Sequence, residues 1–563
     1  MKKLINNPRQ VVPDLLSGMV AADPSITLLE GENVLLRADI AADPAQRPVA
    51  LISGGGSGHE PAHGGYVGRG MLSAAVAGDV FTSPSVDAVL AAILASAGPA
   101  GALLIVKNYT GDRLNFSLAA ELAAAEGIPC EVVFVADDAA LRDLVIRERR
   151  RGLAGTILVH KAAGAAAEAG LPLAEVAAIA RGVAQDLATM GVGLGACIVP
   201  TAGQPSFEIG ADEVEFGLGI HGEKGIERGK IADAATITRR ILDTLEAEMG
   251  ASLKGPTGLM VNGLGATPPM ELSIIAGETL AELKRRGSDV QLVWVGNFMT
   301  ALEMPGASIT LLPLDAARRA LLEAPTEVRV WPSSARAGTT DRSVRLNRPP
   351  ETRPAVAHGV LSPALKEAVA RVADALTNAE PHLTDLDSRA GDGDLGASMF
   401  RAAEAMRALP DYAFNDPAQL FTTLAATLRR AIAGSSGPFY ATALMRAARP
   451  LEDASVPSAD AWDAAFAAGV GAVSDIGGAR PGDRTMVDAL HPALDAWTAA
   501  RADGKPPAEA LVLAAAAAGA GAVATAEMTP KLGRASYLGA RAVGAPDGGA
   551  EAVAIWLAAL ATQ

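Results

Sequence analysis

Three aspartates in the last third of the chain pose the first chemical question. "LDSRAGDGDLGASM" places Asp387, Asp392 and Asp394 within eight positions, with glycines between them and a helix expected from about Leu395. Carboxylates crowded this closely repel one another unless a cation offsets their charge. Oxygen donors with no His or Cys nearby favour a hard ion, of which magnesium is the reasonable one. An EF-hand is excluded, since a loop begun at Asp385 or Asp387 lacks the required glycine and terminal glutamate. An acidic turn that only caps a helix is the alternative. In "AGSSGPFY", Ser435 and Ser436 between glycines form a small donor cluster suited to phosphate oxygens.

The first half carries different chemistry. "LISGGGSGHEPAH" follows a strand-like run and contains Gly56, Ser57, Gly58, His59 and His63. It lacks the Lys-Ser/Thr pair of a Walker loop, and Pro61 occupies the slot of the third glycine of a dinucleotide fingerprint. Such a loop can still offer backbone N–H groups to a small polar ligand. His59 reads equally as a structural hydrogen-bonding residue or a ligand-facing one. "KNYTGDRLNF" delivers Lys107, Asn108 and Asp112, and "GLGIHGEKG" sets His221 between glycines that leave its ring accessible.

These groups need elements to position them. The runs "PVALIS", "GALLIVKN", "CEVVFVA", "GTILVHK", "GACIVP", "TGLMVNG" and "VQLVWVG" read as strands, with helical stretches such as "SVDAVLAAILASA" between several of them. Near-continuous apolar strands with helical crossovers argue for parallel sheet covered on both faces. Ligands of such sheets bind at the carboxyl ends of the strands, where the three polar segments fall. The expectation is an α/β N-terminal half, residues 1–331, in two lobes of about 1–187 and 188–331. Residues 332–357, polar, basic and Pro-rich, read as a linker. Residues 358–563 are Ala-rich and helical, a bundle or barrel. Ser362 is the expected N-cap of a helix whose Leu365, Val369, Val372 and Leu376 share one face.

Composition bounds the partners. The chain of 563 residues has 63 acidic and 48 basic side chains, a net charge of -15, so a nucleic-acid partner is not expected. Cys130 and Cys197 lie in apolar runs and read as buried thiols. The start, "MKKLINNPRQVVPDLL", is too polar for a secretory signal. The apolar stretch Leu511–Ala526 reads as a close-packed buried helix rather than a membrane span. A cytoplasmic protein with no membrane partner is expected.

Taken together, "GGGSGHEPAHGGYVGRGMLSAAVAGDVFTSPS", "LLIVKNYTGDRLNF", "ADEVEFGLGIHGEKG" and "SITLL" occur in an order that resembles the substrate-binding half of dihydroxyacetone kinases, the DhaK-like region. The aspartate motif, "AGSSGPFY", "ARPGDRTMVDALHPA" and "EMTPKLGRASYLGARAVGAPDGGA" resemble the ATP-binding, DhaL-like half of the same family, a helical barrel. The resemblance implies that His221 holds a ketose as a covalent hemiaminal. It makes Asp112 the acceptor of the proton from the reacting hydroxyl and His59 an aid to proton transfer. Gly56, Ser57, Gly58 and Lys107 line that pocket in the same comparison. It assigns magnesium to Asp387, Asp392 and Asp394. Nucleotide contacts fall on Leu395, Gly396, Ala397, Ser398, Ser435, Ser436, Gly477, Thr485, Met486, Arg534, Asp547, Gly548 and Gly549. With both halves on one chain, the resemblance implies a homodimeric kinase consuming ATP to phosphorylate dihydroxyacetone. A related ketose such as erythrulose, a side activity cyclising FAD, and a sugar-sensing regulatory role are the alternatives.

Overall fold

The computed structural model describes residues 2–332, 336–338, 343–344, 361–432, 434, 436–452 and 456–562. It divides into two compact units, Met1–Arg345 and Leu346–Gln563. Most of the expected linker, and Ser435, lie outside the described residues.

The N-terminal unit contains two sheets. The first is built from β1 (Ile26–Leu28), β2 (Val34–Arg37), β3 (Ala50–Ser57), β4 (Ala74–Val80), β5 (Ala102–Lys107) and β6 (Cys130–Val135). Their order is β1-β2-β4-β3-β5-β6. The four strands from β4 to β6 pair in parallel, and the β1–β2 edge is antiparallel. Alternate residues of β3 and β5 serve opposite faces. Leu51, Leu103 and Ile105 pack with the helices Thr156–Glu168 and Leu173–Asp186, while Ile52, Leu104 and Val106 pack with Val86–Ser96 and Thr110–Ala125. Helices on both faces bury the central strands β3 and β5 throughout, as the apolar runs required.

The second sheet comprises β7 (Ala188–Gly193), β8 (Glu213–Phe216), β9 (Glu227–Lys230), β10 (Pro256–Gly263), β11 (Asp289–Gly296) and β12 (Gly306–Pro313). The order is β11-β10-β12-β7-β8-β9, and only the β10–β11 pair is parallel. The expected all-parallel pattern therefore holds for the centre of the first sheet and not for the second. Its antiparallel strands include the polar β9, which periodicity alone does not reveal.

Two expected strands are not strands. "GTILVHK" opens the helix Thr156–Glu168, whose residues from Thr156 to Ala167 are all buried. A short apolar run fits a strand or an all-round buried helix equally well. Tertiary bonds decide here, because the buried Asp137 carboxylate accepts from the backbone N–H of Leu153 (2.6 Å) and Gly155 (3.0 Å) just ahead of the helix. "GACIVP" is irregular, with one isolated bridge between Ile198 and Pro205.

The C-terminal unit is all-helical among the described residues. Ser362, Asp416 and Ser458 cap their helices by accepting from Leu365, Gln419 and Ala461 N–H groups. The inner faces enclose an apolar cavity of ≈ 520 Å³ whose walls include Val369, Met399, Leu424, Phe466, Trp497 and Leu557. The helix Pro507–Ala524 is part of the one segment, among the described residues, long and apolar enough to cross a membrane. It is less enclosed than expected. It buries one narrow stripe, Ala510, Ala514, Ala518 and Ala522, in a cluster with Val487, Leu490 and Trp497. Cys197 is buried, and Cys130 is only half-buried.

Close packing of the Thr156–Glu168 helix generates a test. A Cβ on Gly164 would fall on the carbonyl of Gly70 and 2.5 Å from Met71 Cα. Alanine ordinarily stabilises a helix interior by about 1 kcal/mol over glycine. Gly164→Ala is expected instead to destabilise the chain by about 1–3 kcal/mol, read as a lower urea midpoint; a raised midpoint would contradict this packing.

Candidate active site

The glycine segment is strand rather than loop as far as Ser57, because β3 continues through "SGGGS". Gly56 permits this close approach, since a Cβ there would stand 2.5 Å from Thr82 N and 2.6 Å from the Phe81 carbonyl carbon. Gly55 opens onto the pocket. A Cβ there would be 2.9 Å from Lys107 Nζ and 3.4 Å from Asp112 Oδ2, so both charged groups converge on its bare face. Two expected donors are already engaged: the Ser57 hydroxyl donates to Gly78 O (2.8 Å) and the Gly58 N–H to the Glu60 carboxylate (3.0 Å).

Lys107, at the end of β5, is fully buried, and its Nζ lacks a hydrogen-bond partner among the described residues. Burial pushes its ammonium down, while the charges of Asp112, Glu60 and Glu223 act in the opposite direction. Asp112 occupies the first turn of the helix Thr110–Ala125, where the helix dipole favours a carboxylate. It is buried, and Oδ1 is unpartnered.

His59 is wholly buried, with Nδ1 2.7 Å from Thr300 O. A carbonyl only accepts, so Nδ1 carries the hydrogen and the neutral ring turns a lone pair outward at Nε2, which is unpartnered. Burial, reinforced by the charges of Lys107 and His221, keeps this imidazole well below the ordinary histidine range. His63 belongs elsewhere. Its Nδ1 lies 3.0 Å from His160 Nε2 and 3.3 Å from Ser53 Oγ, in a buried group behind the pocket.

His221 stands in a cage of ring edges from Tyr109, His59 and Phe81, at centroid distances of 4.5, 4.7 and 5.3 Å. Its backbone N–H donates to Glu223 Oε2 (2.9 Å), and Nδ1 lies 3.4 Å from Glu223 Oε1. Burial raises the Glu223 carboxyl, yet the bonds and charge from His221 outweigh it and hold the acid down at about 2. The fold thus gathers His59, Lys107 and Asp112 with His221, which lies more than a hundred residues further along the chain. Thr300 and Leu302, in the turn ahead of β12, close the arrangement through Thr300 N to His59 O and Leu302 N to Gly58 O.

In the helical unit, carboxylate oxygens of Asp387, Asp392 and Asp394 all lie within 4.8 Å of one another. Asp392 and Asp394 are exposed and Asp387 half-buried, a donor set that fits a hydrated divalent cation. Asp387 Oδ2 also accepts from the Asp394 N–H (2.9 Å), which folds the motif back on itself. The C-terminal turn meets this motif. A Cβ on Gly548 would be 2.7 Å from Leu395 Cδ2, and one on Gly549 would be 3.7 Å from Met486 Cβ. Gly396 packs tightly on Thr384, Ser398 is buried beside Arg401, and Ala397 is half-buried between them. The Thr485 N–H donates to Asp488. Gly477 ends its helix against the ring of Phe439, which belongs to the preceding helix begun by Ser436. Arg534 lies in a short 3-10 turn.

A human protein named triokinase/FMN cyclase is 45% identical over 574 residues, covering 99% of this chain and 98% of that one. The crystal structure of the dihydroxyacetone kinase from C. freundii in complex with AMP-PNP and Mg2+ is similar at 35% identity. Its TM-score is 0.64, with 100% of this chain and 99% of that chain covered. Residues 17–330 match the Dak1 domain and residues 389–562 the DAK2 domain. The chain belongs to the dihydroxyacetone kinase family. The dihydroxyacetone-binding subunit DhaK of a PTS-dependent dihydroxyacetone kinase from Listeria innocua aligns at 46% identity over 335 residues. It covers 59% of this dihydroxyacetone kinase family chain and 100% of that subunit.

Several residues of this family member escaped sequence reasoning. Tyr109 and Glu223 sit inside the motifs "KNYTGD" and "HGEKG" and were within reach; Thr300 carries no local signal. Arg484 is the clearest omission. It is buried with φ 59°, and its guanidinium donates to the carbonyl of Thr525 and to those of Ala542 and Ala545 in the segment that leads to Asp547.

Asp547 caps the helix Gly548–Ala561 by accepting from Ala550 N–H (2.9 Å), and burial pushes its carboxyl up to about 6. The folded state therefore holds this proton more tightly than the unfolded chain. Its charge penalty is absent below about pH 4 and fully present above about pH 6. Stability is expected to fall as pH rises through that window. Asp547→Asn, which keeps the cap, should flatten the dependence in urea unfolding followed from about pH 4 to about pH 7.

Proposed function

We propose that this chain is a kinase that transfers the γ-phosphoryl group of ATP to dihydroxyacetone, giving dihydroxyacetone phosphate and ADP. One observation supports it above the others: Lys107 Nζ, Asp112 Oδ1 and His59 Nε2 are buried, without hydrogen-bond partners among the described residues, and gathered near one accessible imidazole. Buried polar atoms without partners are costly, and a small polyhydroxy ketone supplies the complementary groups. In this reading the Nε2 lone pair of His221 adds to the ketone carbon, and a hemiaminal forms as the carbonyl oxygen gains a proton. An alcohol without a carbonyl cannot be captured this way, so glycerol is rejected. Asp112 receives the proton of the reacting hydroxyl, and the outward lone pair of His59 accepts from the substrate. Gly56, Ser57 and Gly58 shape the wall, and Lys107 offsets negative charge.

Asp387, Asp392 and Asp394 would hold Mg2+, which when bound neutralises phosphate charge during transfer. Leu395 to Ser398, Ser435, Ser436, Gly477, Thr485, Met486, Arg534 and Asp547 to Gly549 are assigned to the nucleotide. Residues 1–331 form the ketose-binding domain and 358–563 the ATP-binding domain, joined by 332–357. The protein acts as a cytoplasmic homodimer. The human relative's name, triokinase/FMN cyclase, favours flavin-nucleotide cyclisation at the same metal site as a second activity. Erythrulose is the alternative ketose.

Coupled ADP release with dihydroxyacetone, erythrulose and glycerol tests the reading. Ketones are expected to exceed glycerol by at least about 100-fold in kcat/KM; equal turnover of glycerol would defeat it. His221→Ala should lose ketose binding and keep ATP binding. Asp392→Ala should weaken Mg-ATP binding and keep ketose binding, and Asp112→Asn should bind both and lose turnover.

A further inference from the structure

We infer that Glu223 is a positioning residue for His221, holding the ring hydrogen on Nδ1 so that Nε2 presents its lone pair to the ketone. The inference rests on the reading that His221 captures the substrate. It goes beyond that reading by assigning the group that selects which nitrogen reacts.

Both oxygens of the Glu223 carboxylate serve residue 221, Oε2 on the backbone N–H at 2.9 Å and Oε1 facing Nδ1 at 3.4 Å. A carboxylate only accepts, so the nitrogen facing it is the one that bears hydrogen. The ring edges of Tyr109, His59 and Phe81 fix where the imidazole stands. They do not choose its tautomer, and that choice falls to the hydrogen bond made by the other nitrogen.

Glu223 is itself braced. A Cβ on Gly219 would fall on Glu223 Oε2 and lie 2.8 Å from Arg151 Nη1, so glycine at 219 leaves the space that both side chains enter. Arg151 is anchored in turn, with Nε donating to Asp138 Oδ2 (2.7 Å) and Nη2 to Gly217 O (2.7 Å). The glycines of "GLGIHGEKG" therefore do more than expose His221. One of them admits the carboxylate that orients it.

The capture step balances with this arrangement. Nε2 bonds to the carbonyl carbon and the π pair moves to oxygen, leaving a cationic ring and an alkoxide. The Nδ1 hydrogen passes to Glu223 and returns through water to the alkoxide, giving a neutral hemiaminal and the starting carboxylate.

Two measurements on the full chain test this. Ring 15N spectra of histidine-labelled protein should report His221 with hydrogen on Nδ1, and Glu223→Ala should convert it to a mixture of tautomers. Binding of [2-13C]dihydroxyacetone, read as loss of the ketone signal into an adduct signal, should weaken on the order of 10- to 100-fold in Glu223→Ala. Glu223→Gln, whose amide oxygen can still accept, should recover most of it, and ATP affinity should not change. An unaltered tautomer with unaltered adduct formation in Glu223→Ala overturns the role of Glu223 and leaves capture by His221 standing. Wild-type protein that phosphorylates the ketone with no adduct signal overturns both.

Discussion

Burying an ammonium is costly unless opposite charge or hydrogen bonds compensate, and the pocket at the ends of β3 and β5 is organised around that constraint at Lys107. Its Nζ is enclosed without a hydrogen-bond partner among the described residues, and Asp112, Glu60 and Glu223 supply the opposing charge. The same positive charge, added to burial, keeps His59 and His63 neutral. Burial is the larger cause for both rings, and the Lys107 charge acts in the same direction. Gly55 follows from the same buried cation, since a side chain there would enter the space Lys107 and Asp112 share.

The helical unit handles charge in the opposite way. Its three carboxylates are exposed or half-buried, so water screens their repulsion until a cation takes its place. Its enclosed charges include Asp488 and Arg484, whose guanidinium ties the carbonyl of Thr525 to those of Ala542 and Ala545 ahead of Asp547. The exposed carboxylate cluster stays open to exchange with solvent, whereas Lys107 and His59 are enclosed. The two clusters thus lie in different dielectric surroundings, one in each unit.

Much of this was legible in the residues. Central strands such as β5 and β10 show as uninterrupted apolar runs because both faces of each are buried. The caps at Ser362 and Asp547 follow from residue type. The acidic motif needed only its spacing, because its ligands are close in sequence. "GTILVHK" was misleading because a short, mostly apolar run fits either a strand or a helix buried all round, and the bonds of Asp137 chose the helix. The polar β9 gave no signal, since its place is set by pairing with β8 rather than by its own pattern.

By itself the sequence determined the two-part architecture and the clustering of three aspartates in one short motif, because each depends on composition or short spacing. Tertiary structure alone decided that His59 is neutral with its lone pair outward and that Lys107 is sealed from water. It also decided that Glu223 faces Nδ1 of His221 and that Arg484 underlies the C-terminal turn. Protonation state and tautomer depend on which groups lie within a few ångströms, and those neighbours come from segments as far apart as His59 and Thr300.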